Sequence, residues 1–263
     1  MPTSGQPRLL VEERRRKILD LVEKQARVTV EELVSRFGVS AVTVRGDLDA
    51  LSQSGAVVRS HGGALKRVGA LQDVPINVKE TLHHGEKVRI GHAAAQMIRD
   101  NEIVMLDSGT TTAEVARHIK FLKLKALTVI TNALNIAMEL ANLPHLRVIM
   151  IGGILRQMSY SLVGPHAEHT LKGLNADRLF LGVDSLDPER GLMTPHLMEA
   201  QLNAQMIRVA RQVVAVADSS KLQRRNLSVI GALECLDLLI TDVRAHPSVI
   251  DAIRDRGVDV MVV

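Results

Sequence analysis

The sequence predicts an α/β chain in two parts: a small helical unit closed by a β-hairpin, then a doubly wound, mostly parallel open sheet. Three observations predict it. Apolar residues recur at helical spacing through the first part and give way to a glycine-bounded, β-branched run, Gly55–Gly63. From Ile103 onward, short apolar runs alternate with helical patterns of about 10–20 residues, the signature of strands buried between two helical layers. Between these parts, residues 66–77 lack periodicity and include Gly69, Asp73 and Pro75, the composition of a linker. The expected division is 1–65, a linker at 66–77, and a second domain over 78–263.

In the first part, Val11, Ile18, Leu19, Leu21 and Val22 mark one helix, with Glu and Arg between them. Arg27–Val30 is short and β-branched, an extended lead-in. Val30–Phe37 reads as a two-turn helix with Glu31 and Glu32 near its positive end. Gly38 supplies a C-cap and Ser40 an N-cap for a third helix running through Val42, Val44, Leu48 and Leu51. Helix, tight glycine turn and helix is the arrangement that lays a second helix in the major groove. Its outward positions, Ser40, Ala41, Thr43, Arg45 and Gly46, are short or cationic, so its N-terminal half can approach base edges. Arg45 suits guanine O6/N7 or a phosphate. The hairpin that follows is a wing carrying Arg59 and His61 toward the DNA backbone or minor groove. The expected DNA contacts are Ser40, Thr43, Arg45, Arg59 and His61.

Charge supports a polyanion partner for this part alone. Residues 1–68 carry 12 Lys+Arg against 8 Asp+Glu, whereas residues 69–263 carry 21 of each, so the whole excess of +4 lies in the first quarter. One Tyr, three Phe and no Trp argue against a base-stacking platform and favour duplex grooves and phosphates. An apolar fraction of 46% with 24% charged residues excludes wholesale disorder. A single cysteine, Cys235, excludes an intramolecular disulfide framework and suits a reducing compartment. Asn132, Asn135, Glu139 and Asn142 break the most apolar stretch, so no membrane span is expected. Met1–Leu10 has no apolar core ahead of the charged run Glu12–Lys17, so no signal peptide is expected and the site of action is expected to be cytoplasmic.

The joined stretch VTVEELVSRFGVSAVTVRGDLDALSQSGAVVRSHGGAL resembles the winged helix-turn-helix of the DeoR family of bacterial transcription regulators, over roughly residues 10–65. Gly46 departs from that family's pattern, which has a polar or basic residue after the arginine.

In the second part the apolar runs are Ile103–Leu106, Leu127–Thr131, Leu146–Ile151, Leu179–Val183, Val213–Ala217, Leu238–Thr241 and Val258–Val263. Helical patterns include Glu86–Asp100, Thr112–Lys120, Asn132–Ala141 and Glu199–Arg211, with Asn101 as a left-handed cap. In such sheets ligands bind beyond the carboxyl ends of the strands. After the first strand, Asp107-Ser-Gly-Thr-Thr-Thr112 opens into a helix: a glycine for close backbone approach, hydroxyl donors, and a helix N-terminus that attracts anions. It is no Walker A loop, because no Gly-Lys-Ser/Thr tail follows. Later strand ends add Thr131-Asn132, Gly152-Gly153, Asp184 and Asp218-Ser-Ser-Lys221. Lys221 suits a phosphate, and Asp184 and Glu199 suit sugar hydroxyls.

The motifs LDSGTTTAEVA, VITNALNIAMEL, IGGILRQMSYSLVGPHAE, LFLGVDSLDPERGLMT, MEAQL and VADSSKL resemble the DeoR-family C-terminal sensor domain over about residues 77–240. The resemblance implies a sugar-phosphate isomerase-like fold and a phosphorylated sugar as effector. It implies phosphate contacts from Ser108, Gly109, Thr110, Thr111 and Lys221, and sugar contacts from Asp107, Asn132, Gly153, Asp184 and Glu199. Within the family, SGTTTAEVARH, RQMSYSLVGPHAE and GVDSLDPERGLMT resemble the AgaR type, repressors of the N-acetylgalactosamine pathway, which implies a hexosamine or tagatose phosphate.

The expected function is therefore a repressor of a carbohydrate or amino-sugar operon, binding double-stranded operator DNA as a homo-oligomer, dimer or tetramer. The alternative is a phosphosugar isomerase or deaminase carrying a DNA-binding module; no catalytic pair is expected, because no His–carboxylate pair stands at a strand end. No cofactor or metal is expected: His83-His84 lacks completing ligands, and His166-Ala-Glu-His169 matches neither zinc pattern HExxH nor HxxEH. The ten methionines read as core filler.

Overall fold

The computed structural model describes residues 10–25, 27–53, 56–60, 62–66 and 75–263. His61, an expected wing contact, and most of the expected linker lie outside the described residues. The chain divides into two compact units after Leu82.

The first unit runs α1 (Val11–Gln25), β1 (Arg27–Thr29), α2 (Val30–Phe37), α3 (Ala41–Gln53), β2 (Val57–Ser60), β3 (Gly63–Lys66) and α4 (Ile76–Thr81). Thr29 caps α2 reciprocally: its hydroxyl accepts from the Glu32 amide at 3.2 Å, and Glu32 Oε2 accepts from the Thr29 amide at 2.7 Å. The helix ends in left-handed backbone at Gly38, and Ser40 Oγ then accepts from the Thr43 amide at 3.1 Å to start α3. Strands order β1-β3-β2, all antiparallel, so the wing is a hairpin anchored to the lead-in strand. Ile18, Val22, Leu33, Val44, Leu48 and Val57 close one core. Two differences from the sequence reading have clear reasons. Val42 faces outward, 76% exposed, while Val44 is fully buried. Val78 is only 9% exposed within this first core, and Leu82 packs against it, so the division falls later than residue 78.

The second unit runs α5 (His84–Ala95), β4 (Ile103–Leu106), α6 (Thr110–Ile119), β5 (Leu127–Thr131), α7 (Leu134–Leu140), β6 (Leu146–Met150), β7 (Ile154–Arg156), β8 (Ser161–Val163), α8 (Pro165–Leu171) and β9 (Ala176–Gly182). It continues with β10 (Ser185–Asp187), β11 (Gly191–Thr194), α9 (Leu197–Val209), β12 (Ala210–Val216), β13 (Ser228–Gly231), β14 (Leu238–Thr241), α10 (Pro247–Arg254) and β15 (Asp259–Val262). The main sheet orders β15-β14-β12-β9-β4-β5-β6, every pair parallel. Alternate residues of each strand feed opposite layers. Val104, Leu106, Val129 and Phe180 pack with α5, α6 and α7. Met105, Ile130, Leu179 and Leu181 pack with α8, α9 and α10. The seven apolar runs are the seven strands of this sheet. Met193 and Met206 are buried in the core, but Met138 is 68% exposed and Met150 and Met261 are each 38% exposed, so core filling does not describe all the methionines.

Chain order reverses beside β4: β5 and β6 lie on one side of it, β9, β12, β14 and β15 on the other. The topological switch point therefore falls between β4 and β9, the place in a doubly wound sheet where ligands bind past the strand ends. Two further elements were not anticipated: the hairpin β7–β8 and the antiparallel sheet β10-β11-β13. Their three- and four-residue strands are too short to carry a period.

Candidate functional site

On α3, Ser40, Thr43, Arg45 and Gly46 are exposed at or near the helix N-terminus, and Asp47 and Leu48 are turned inward. Ser40 and Thr43 share a hydroxyl hydrogen bond of 2.9 Å in addition to the cap. Arg59 on the wing is engaged within the unit: its Nε donates to Asp49 Oδ1 at 2.8 Å and its terminal nitrogen to the Gly63 carbonyl at 2.7 Å. It thereby fastens the wing to α3 and neutralises an acidic group on the helix. Asp47 does the same on the other side, accepting from Arg14 Nε at 2.5 Å and Arg15 Nε at 3.0 Å. The reading helix is thus oriented by ion pairs to α1 and to the wing.

In the second unit the parallel sheet brings Asp107, Asn132, Gly153, Asp184 and Asp218 to one edge, each just past a strand end. The loop after β4 enters α6 through Gly109 at φ 144°, backbone that favours glycine. The first turn of α6 is Thr110, Thr111 and Thr112, all buried, and as the opening residues of a helix their amides have no intrahelical acceptor. Thr112 turns its hydroxyl back to the Gly109 carbonyl at 3.0 Å.

Beside this cradle stands a carboxylate cluster. Asp107 is 2% exposed, takes a hydrogen bond of 3.3 Å from Asn203 Nδ2, and is pushed well above the ordinary carboxylate range by burial and by the charges of Glu199 and Asp184. Glu199 Oε1 accepts from Ser159 at 2.6 Å, Ser161 at 2.7 Å and Arg156 at 3.1 Å, all on or beside the β7–β8 hairpin. Asp184 accepts from Thr194 Oγ1 at 3.2 Å. Asn132, 1% exposed, presents both amide atoms with no protein hydrogen-bond partner. A buried amide orphaned at a strand end calls for a partner from outside the protein. The raised Asp107 carboxyl carries a stability consequence. Below the unfolded value near 4 both states are protonated; above it the unfolded chain ionises first, so stability falls as pH rises. Asp107→Asn is therefore expected to raise the unfolding temperature of the second unit at pH 7 and to leave it little changed at pH 4, measured by calorimetry at both pH values.

Lys221 lies in a single 3₁₀ turn, Ser219–Lys221, capped by the Asp218 side chain, rather than at the start of a longer helix. Asp218 is fully buried; burial pushes its carboxyl up, and Lys221, Ser220 and Lys87 together pull it below the ordinary range. Gly153 has φ 134°, and a Cβ there would stand 2.6 Å from the Val163 carbonyl, so the β7–β8 hairpin itself requires glycine at this position.

Sequence reasoning missed Arg156, Ser159, Ser161, Asn203 and Lys87. Lys87 is the most informative, a lysine only 3% exposed on α5. Its one sequence signal is a charge on the inward face of a helix, spaced with Ile90, Gly91 and Ala94. The histidines singled out earlier have local roles. His83 Nδ1 lies 2.9 Å from Arg244, His84 faces Glu114 at 3.7 Å, and His166 and His169 are exposed on α8. Among the described residues no helix is long and apolar enough to cross a membrane.

An exposed helix-turn-helix surface on one unit, and polar strand ends beside a helix N-terminus at the switch point of the other, are the features of a DNA-binding regulator with a ligand-sensing domain. Comparison with known proteins agrees. Residues 14–66 match the DeoR-like helix-turn-helix domain and residues 82–243 the DeoR C terminal sensor domain. The chain is 37% identical, over 99% of its length and 97% of the relative's, to an Escherichia coli O157:H7 protein named for transcriptional repression of the aga operon. It is 38% identical to the HTH-type transcriptional regulator GlpR of Haloferax volcanii, over 96% of this chain and 98% of that one. Among solved structures, ribose 5-phosphate isomerase A from Methanocaldococcus jannaschii aligns over 52% of this chain and 53% of that chain, with 16% identity and a TM-score of 0.35. The chain belongs to the DeoR family of transcription regulators.

Proposed function

We propose that the protein represses a carbohydrate or amino-sugar catabolic operon and that a phosphorylated sugar, of the hexosamine or tagatose phosphate class, controls it. The observation that carries this reading is the unpartnered Asn132 amide, buried at the switch-point edge of a sheet whose neighbouring strand feeds the first turn of α6. The phosphate meets Ser108, Gly109, Thr110 and Thr111, with Lys221 and Lys87 supplying positive charge. The sugar hydroxyls meet Asp107, Asn132, Asp184 and Glu199, with the Gly153 backbone beside them. A thermal-shift screen of hexosamine and tagatose phosphates tests this. A ligand of the native state raises the apparent stability, whereas equal, null responses to the phosphorylated and unphosphorylated sugars contradict it.

Ser40, Thr43 and Arg45 on α3 and Arg59 on the wing are assigned to operator DNA, and the sequence-based assignment of His61 to the same partner stands beside them. If Arg45 reads a base, Arg45→Ala weakens operator binding by about 1–3 kcal/mol and leaves nonspecific DNA affinity nearly unchanged. Equal losses on both DNAs, measured by fluorescence polarisation, make it a phosphate contact instead. One short reading helix recognises too few base pairs for genomic specificity, so the active species is a homo-oligomer, dimer or tetramer, acting in the cytoplasm.

The enzyme alternative is disfavoured. Relatives over nearly the whole chain are named as transcription regulators. Of the carboxylates that could serve as a base, Glu199 already accepts three donors on one oxygen and Asp184 accepts from Thr194. Turnover of a hexosamine phosphate by the purified protein reverses this judgement.

A further inference from the structure

We propose that Val42 contacts a thymine methyl group in the major groove, and that Gly46 keeps the adjacent turn of α3 bare so that the contact can form. The inference rests on the DNA-binding reading of α3 and adds to it a residue the helical spacing had assigned to the core.

Val42 is 76% exposed, whereas Val44, Leu48 and Leu51 fill the core beneath the same helix. Folding gains little from a β-branched side chain held in water near a helix end, since alanine there has the higher helix propensity. Val42, Arg45, Gly46 and Asp49 follow the i, i+3, i+4, i+7 spacing and share one face. Along that face, two methyl groups are followed by a guanidinium and then by bare backbone, where a built Cβ meets nothing within 4 Å. Asp49 is the one acidic group on this strip, and Arg59 neutralises it at 2.8 Å. The strip is continuous with Ser40 and Thr43, so an apolar contact is presented among polar and cationic groups suited to base edges and phosphates. In the major groove the apolar partner of this kind is the C5-methyl of thymine.

The test uses the full chain and an operator selected from a random-sequence pool by the wild-type protein. Each thymine is replaced in turn by uracil, which removes only the methyl group. The expected result is one thymine per half-site whose replacement weakens wild-type binding about three- to tenfold, the scale of one buried methyl or two. Val42→Ala loses a similar factor on the thymine operator and becomes indifferent to uracil at that position. A wild type insensitive to uracil at every position overturns the proposal, as does an equal uracil penalty in both proteins. Failure of the wild type to select any sequence overturns the DNA reading itself.

Discussion

Asp47→Ala is expected to cost the first unit about 3–5 kcal/mol, the scale of breaking a buried ion pair by removing one partner. Asp47 is 2% exposed and Arg14 5% exposed, so the substitution removes a buried carboxylate from beside a buried guanidinium in a small unit. Arg15 loses the same carboxylate. Domains of this kind hold only about 5–15 kcal/mol in total, so much of the unit's margin disappears. The consequence for function is geometric as well as thermodynamic, because Asp47 ties α3 to α1 and so fixes the angle at which the reading helix leaves the core. Hydrogen exchange at the amides of α1 and α3 measures the loss directly. Protection within about 1 kcal/mol of wild type contradicts the assignment of Asp47 as the unit's central pairing group.

The second large effect concerns the effector. Lys221→Ala is expected to weaken phosphosugar binding at least about thirtyfold, because removing one partner of a desolvated charge pair costs about 2–5 kcal/mol. Ligand-free operator binding stays at the wild-type level. Calorimetric titration reads the first quantity and fluorescence polarisation the second. Lys221→Arg, which keeps the charge beside Asp218, separates the loss of a cation from local disruption of the 3₁₀ turn. An unchanged effector response in Lys221→Ala removes this residue from the site. Loss of operator binding as well assigns it a structural role.

Much of the fold was legible because its strands are buried on both faces. Ile103–Leu106, Leu127–Thr131 and Leu238–Thr241 are uninterrupted apolar runs, which parallel strands require, and their bounds coincide with the strands observed. The Val30–Phe37 helix was equally plain, bounded by Thr29 and Gly38. Val42 was misplaced although the helix itself was found. Residues two apart on a helix point about 200° from each other, so Val42 and Val44 cannot both face inward. The partners Leu48 and Leu51, four and seven residues beyond Val44, select Val44. The edge of polar strand ends was legible from the βα order alone, because parallel strands place all their carboxyl ends together. What occupies the space around those ends was not. Ser161 and Arg156 reach Glu199 across 38 and 43 residues of chain, and Lys87 acts on Asp218 from a helix that precedes the first strand of the main sheet. Such pairings are products of topology, with no periodic signal to announce them.

The central claim is that one chain couples phosphosugar binding to operator affinity. Titrating fluorescent operator with the full-length protein, in the presence of each hexosamine or tagatose phosphate and its unphosphorylated counterpart, tests it most directly. The account predicts that at least one phosphorylated sugar changes operator affinity by about five- to 150-fold, the usual range of allosteric coupling, and that its unphosphorylated form does not. Operator binding that is tight, salt-dependent and indifferent to every one of these phosphosugars would contradict it.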